Sequence, residues 1–165
     1  MILAIDPGTA QSGWCLLRDS GEPHDSGVLP NQAMLDVVWG GHHAKDTVLA
    51  IEMIASYGMP VGREVFETCV WIGRFKQAWP KPDAVRLVYR KDAKLHLCGS
   101  PRAKDANVWQ ALKDRLGEPG TKKNPGPLYG VQSHARAALA VGVYVHDQLL
   151  GELQCMNAPS ARCRS

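Results

Sequence analysis

Met1-Ile2-Leu3-Ala4-Ile5-Asp6-Pro7-Gly8-Thr9 opens the chain. An apolar run ends on an acid, and Pro-Gly-Thr then forces a turn, because proline has no N–H for a sheet ladder and glycine accepts turn dihedrals. This is the pattern of a buried strand with Asp6 at its end. Working outward, Ser12 to Asp19 (SGWCLLRD) is a second run of strand length and Ser26 to Leu29 a third, which predicts an antiparallel meander. Gln32 to Trp39 has helix-compatible spacing. Thr47 to Met53 (TVLAIEM) then repeats the opening theme, a buried strand with Glu52 near its end.

After a loop at Tyr57-Gly58-Met59-Pro60, Val65, Cys69, Ile72 and Phe66, Val70, Gly73 recur at helical intervals, predicting a helix over 62–78 that proline stops at Pro80. Ala84 to Tyr89 supplies a fifth strand. Val108, Leu112 and Leu116, spaced four apart before Gly117, predict a helix over 103–116. Gly117 to Gly130 is a Gly/Pro-rich loop. Gln132 to Leu150 reads as a long final helix with Ser133 as its N-cap, and the segment after Gly151 as a loose tail. The expected organisation is one domain over 1–150 and a tail over 151–165. Strands followed by helices interleaved with further strands predict an α/β domain on a mixed sheet.

The 165 residues suit one compact domain, and 45% hydrophobic with 21% charged residues exclude a disordered, collagen-like or coiled-coil chain. No apolar stretch reaches the ~18 residues of a membrane span, and no export signal is read at the N-terminus. Five cysteines without CxxC or zinc-ligand spacing fit a reduced, cytoplasmic protein with no membrane partner. The net charge of +3 hides a strong asymmetry. Residues 1–85 carry 6 Lys/Arg against 10 Asp/Glu, whereas residues 86–136 carry 11 against 4. A basic stretch so concentrated is the footprint that a phosphate backbone requires, although a solvated basic face would look alike.

Asp6 and Glu52 stand out because each closes a strongly apolar strand, where a charge is costly unless something compensates it. A divalent cation held between neighbouring strand ends would do so, as would a strand-end cap or an arginine partner. His134, in the first turn of the final helix, would face Asp6 if that helix packs on the sheet; a structural histidine is the alternative. Asp105 sits at a helix start, where it favours the helix dipole.

Ala4-Ile5-Asp6-Pro7-Gly8-Thr9 with Ser12-Gly13-Trp14, Ile51-Glu52, and Ser133-His134-Ala135 leading into Ala138-Leu139-Ala140 together resemble Holliday-junction resolvases of the RuvC type, especially compact phage-like ones. The resemblance covers about residues 1–150. It implies a ribonuclease H-like fold with a mixed five-stranded sheet flanked by helices, a homodimer, and two Mg²⁺ (or Mn²⁺) ions that support paired nicks in a four-way DNA junction. Carried over, Asp6 matches the first-strand metal ligand, Glu52 the acid that orients the ions, and His134 the first polar position of the last helix, as ligand or general acid/base. Three residues on, where the family has a further aspartate, this chain has Ala137. Either a reduced set suffices, with Asp105 or water recruited, or the site is disabled.

The basic stretch then gains a use. Arg102, Lys104, Lys122 and Lys123 are placed to track phosphates. The loop after Glu52, with Tyr57 and Met59 at its tip, is expected by analogy to wedge against an unstacked base. Phe66, Val70 and Phe75 on the 62–78 helix are expected at the dimer face. Two other readings compete. The Asp-Pro-Gly-Thr turn also resembles the phosphate loop of actin-like and sugar-kinase ATPases, whose two domains 165 residues cannot hold. A junction-binding protein without cleavage is the other, and Ala137 favours it.

Overall fold

The computed structural model describes residues 1–157 apart from 41–45, 57 and 59. Its elements are β1 (Ile2–Asp6), β2 (Gln11–Leu17), β3 (Pro23–Pro30), α1 (Asn31–Trp39), β4 (Val48–Met53), α2 (Arg63–Ala78), a 3₁₀ turn at Pro82–Ala84, β5 (Val85–Tyr89), α3 (Arg90–Cys98), α4 (Asp105–Leu116) and α5 (His134–Asn157). The five strands form one sheet in the order β3-β2-β1-β4-β5. β1, β2 and β3 pair antiparallel, whereas β4 joins β1, and β5 joins β4, in parallel. The α/β class, the five-stranded mixed sheet and the opening meander are as the sequence predicted.

Alternation along the central strands sorts the core into two layers. Ile2 and Ala4 of β1, Cys15 and Leu17 of β2, and Ala50 of β4 face α5, with Val108 and Leu112 of α4 behind. Leu3, Ile5, Leu49 and Ile51 face the other way, onto Met34 and Val38 of α1 and Ile72, Phe75 and Trp79 of α2. Strands covered on both faces read as near-continuous apolar runs, which is why β1 and β4 were legible. Small residues let α5 lie close to the sheet. A β-carbon on Gly142 would strike Leu17 and come within 3.1 Å of Ala4 Cβ. At the far end, Asp147 of α5 accepts hydrogen bonds from Arg115 of α4 at 2.6 Å and from His96 of α3 at 2.6 Å, tying the three helices together. Burial raises the Asp147 pKa, but these bonds outweigh it and hold the carboxyl far below its usual range.

Several boundaries differ from the sequence reading. Residues Arg90–Cys98 form a helix that the reading lacks; no side chain caps it, and Ala93 is its one buried residue, so neither a start signal nor an apolar stripe announced it. β3 runs beyond both ends of Ser26–Leu29 because an edge strand tolerates proline at its ends. α5 continues past Leu150 to Asn157, so the first seven residues of the expected tail are helical; residues 158–165 lie outside the described ones. Ser133 has a left-handed φ of +47°, not the extended backbone of an N-cap. Phe75 is fully buried against the sheet, which removes it from the expected dimer face, whereas Phe66 and Val70 stay exposed. No helix among the described residues is long and apolar enough to cross a membrane.

Candidate active site

The parallel register pairs Ile5 with Ile51, so the next residues, Asp6 and Glu52, end neighbouring strands side by side. Both sit one alternation beyond the alanines that face α5, Ala4 and Ala50, and so point to the same layer. The two carboxyls interact directly, with side-chain exposures of only 11% and 9%. Burial raises the Asp6 pKa, although the hydrogen bond from His134, its charge, and Arg90 work against it. Glu52 is pushed up to about 7, first by burial and then by repulsion from Asp6, with Arg90 opposing. Two acids have been forced together where one negative charge is already expensive.

His134 reaches them from the first residue of α5, with Nδ1 3.0 Å from Asp6 Oδ2. Its place depends on Gly13, which pairs with Asp6 across β1 and β2. A β-carbon on Gly13 would lie 2.5 Å from His134 Cβ, so only glycine lets the helix start there. A buried polar knot steadies the turn after Asp6. Ser12 Oγ donates to Asn31 Oδ1 at 2.7 Å, and Asn31 Nδ2 donates to the Gly8 carbonyl at 2.9 Å.

Arg90 stands beside the acids in the cleft lining, and the sequence reading missed it. Its Nη1 donates to Glu52 Oε1 at 3.1 Å and its Nη2 to Asp105 Oδ2 at 3.0 Å. Lys94 Nζ lies 3.1 Å from the other Asp105 oxygen. Asp105 therefore lines the cleft but has both oxygens on cationic side chains; burial opposes, yet these bonds lower its pKa. These groups open into a cleft of about 750 Å³, lined also by Trp109, Lys113, Arg136 and Ala137. The Arg136 guanidinium stacks on the Trp109 indole, 4.2 Å from the ring centroid. Helical spacing was the available signal, since Asp105, Trp109 and Lys113 fall four apart, as do Arg90 and Lys94. Among the described residues, no group of three His, Cys, Asp or Glu stands in ligand geometry for a metal.

Four of the five predicted DNA contacts, Arg102, Lys104, Lys122 and Lys123, fall outside the cleft lining but are exposed. Arg102 and Lys104 precede α4. Lys122 and Lys123 occupy the tip of a tight hairpin, in which Thr121 and Asn124 exchange backbone hydrogen bonds of 3.0 and 3.1 Å. Tyr57, like Met59, lies outside the described residues.

No protein-family model matches the chain, and no curated protein sequence does. Solved structures do resemble it. The structure of Thermus thermophilus RuvC in complex with a Holliday junction substrate superposes with a TM-score of 0.66 at 17% identity, covering 91% of this chain and 95% of that one. Thermus thermophilus RuvC itself gives 0.62 at 18% identity, covering 91% and 96%. The chain has the RuvC variant of the ribonuclease H-like fold over nearly its whole length.

Proposed function

We propose that this chain, built on the RuvC fold, is a metal-dependent endonuclease that cuts four-way DNA junctions by paired nicks. The observation that carries the reading is the meeting of Asp6, Glu52 and His134 at the floor of a cleft walled by Arg90, Lys94, Lys113 and Arg136. Negative groups at the bottom and positive groups on the walls suit a phosphodiester bound over a cation.

The donor set fits a divalent ion. Two adjoining carboxylates offer hard oxygen ligands, their mutual repulsion is what a cation relieves, and Mg²⁺ or Mn²⁺ prefers such donors. Asp6 and Glu52 would hold it, and when bound it supplies Lewis-acid polarisation and a more acidic water. The chain's own groups do the rest. With Asp6 ionised, His134 Nδ1–H donates to it, which leaves Nε2 as the free acceptor. Nε2 then either ligates the ion or takes the proton of the attacking water, but not both at once. Arg90 and Lys94 neutralise charge on the scissile phosphate, and the Arg136–Trp109 stack offers a flat face to a sugar or base.

A second copy of the chain is needed for paired cuts. On α2, Phe66 and Val70 stand one turn apart on one face, 61% and 62% exposed, and we assign the dimer contact to them. Arg102, Lys104 and the Lys122–Lys123 tip would follow the junction arms, with Tyr57 against the crossover. A reduced cytoplasmic setting suits this role. The competing reading, junction binding without cleavage, is favoured by Ala137, which lines the cleft and brings no donor. Incubating labelled four-way junctions and duplex controls with Mg²⁺, Mn²⁺ or EDTA separates them. Symmetric, metal-dependent nicks confined to the junction support the nuclease; tight binding without nicks in either metal overturns it.

A further inference from the structure

Around Glu52 the cations are not arranged as two bound ions would need. The carboxyl adjoins Asp6, and its Oε1 accepts a hydrogen bond from the Arg90 guanidinium at 3.1 Å. Asp105 anchors that guanidinium through its second nitrogen, and Lys94 holds Asp105 in turn. One turn beyond His134 on α5, Ala137 lines the same cleft with a methyl group and offers no donor. The site thus has two adjoining carboxylates to offer a cation and a permanently charged side chain already bound to one of them. A guanidinium is the right substitute: it stays protonated at any working pH, and its fork can meet a carboxylate and a phosphate oxygen together.

We propose that Arg90 takes the place of one cation, so that the centre binds a single divalent ion and Arg90 provides the second positive charge beside the scissile phosphate. Resting on the nuclease reading for its chemistry, this inference concerns the ion count, which can be read without DNA and without turnover. Arg90 and Ala137 belong together. An arginine at the first supplies the charge that a second ion would bring, so a further donor at the second is unnecessary.

The experiment titrates Mn²⁺ into metal-free full-length protein, counting bound ions by calorimetry and by loss of the free-ion electron paramagnetic resonance signal. The unaltered chain is expected to bind one ion. Arg90→Gln should still bind one but about tenfold more tightly, because a like charge is removed beside Glu52. Arg90→Gln combined with Ala137→Asp should bind two, thermal melting confirming that each variant is folded. Two ions in the unaltered chain, none at millimolar Mn²⁺, or a single ion in the folded double variant overturns the inference; the unaltered chain's count stands alone should a variant fail to fold. Junction cleavage is assayed separately. Uncut junctions with a count of one refute the nuclease reading and leave the count standing, whereas cut junctions with a count of two do the reverse.

Discussion

Gly13 and His134 lie back to back, one in the second strand and the other at the head of the last helix, with no room between them for a β-carbon. Gly13 also pairs with Asp6, so the gap in the sheet is directly beside the carboxyl that receives the His134 hydrogen bond. A missing side chain thereby sets the position of the imidazole beside Asp6.

Gly13→Ala is expected to lift the start of α5 away from β1 and break the 3.0 Å bond between His134 and Asp6. Overpacking of this kind costs about 1–3 kcal/mol, so the fold survives with a lowered midpoint. Junction cleavage should drop at least about 100-fold, the size of effect expected when a positioned acid/base group is displaced. Single-turnover rates and thermal melts of the purified variant decide it, and full activity would detach His134 from the reaction.

Asp6→Asn and Glu52→Gln are each expected to abolish nicking and leave junction affinity within about tenfold, because in the proposed function these groups would hold metal and not phosphate. Gel-shift titration in EDTA beside a cleavage assay in Mg²⁺ measures both. Cleavage surviving in either variant would contradict the assignment.

The acid pair also makes stability depend on pH. Glu52 is pushed up to about 7 in the folded protein from an ordinary value of 4.5, and Asp6 is raised as well. The folded state therefore holds more protons than the unfolded one between those values, and stability falls as pH climbs through that window. The loss should be of order 2–3 kcal/mol from about pH 5 to about pH 8 in metal-free protein. Urea unfolding at both ends measures it. Glu52→Gln should flatten most of the slope, and Mn²⁺ should restore stability at the alkaline end.

Lys122→Ala with Lys123→Ala empties the tip of the 121–124 hairpin without touching the cleft. Binding should weaken, and the slope of log affinity against log salt should shrink by about 1–2. Fluorescence anisotropy across a salt series checks this, and an unchanged slope removes the hairpin from the DNA footprint.

The sheet and the acid pair were legible in sequence because strands buried on both faces write themselves as unbroken apolar runs, in which a terminal Asp or Glu is conspicuous. His134 was legible as a histidine in the first turn of a helix that could pack on the sheet, and resemblance sharpened it, but nothing in its own neighbourhood shows that Gly13 leaves it a seat. Arg90 left only one faint trace, its spacing of four from Lys94. It begins an uncapped, polar helix directly after β5, and its partners Glu52 and Asp105 are 38 and 15 residues away. Contacts of that kind exist only once the parallel register is set. The hairpin at Lys122–Lys123 was hidden for the opposite reason: its pairing is so local that a Gly/Pro-rich segment reads simply as loop.

Gly142 carries a consequence for how freely this molecule can change. Its contact with Leu17 and Ala4 fixes where α5 sits along the sheet, and His134 is attached to the same rigid rod about 12 Å away. Deleting or inserting one residue between them would swing the imidazole roughly 100° around the rod, off the acids altogether. Interior packing and the placement of the imidazole on the acids are thus inherited as one unit, and variation at this centre must come through side-chain exchange at constant spacing, never through a shift in length.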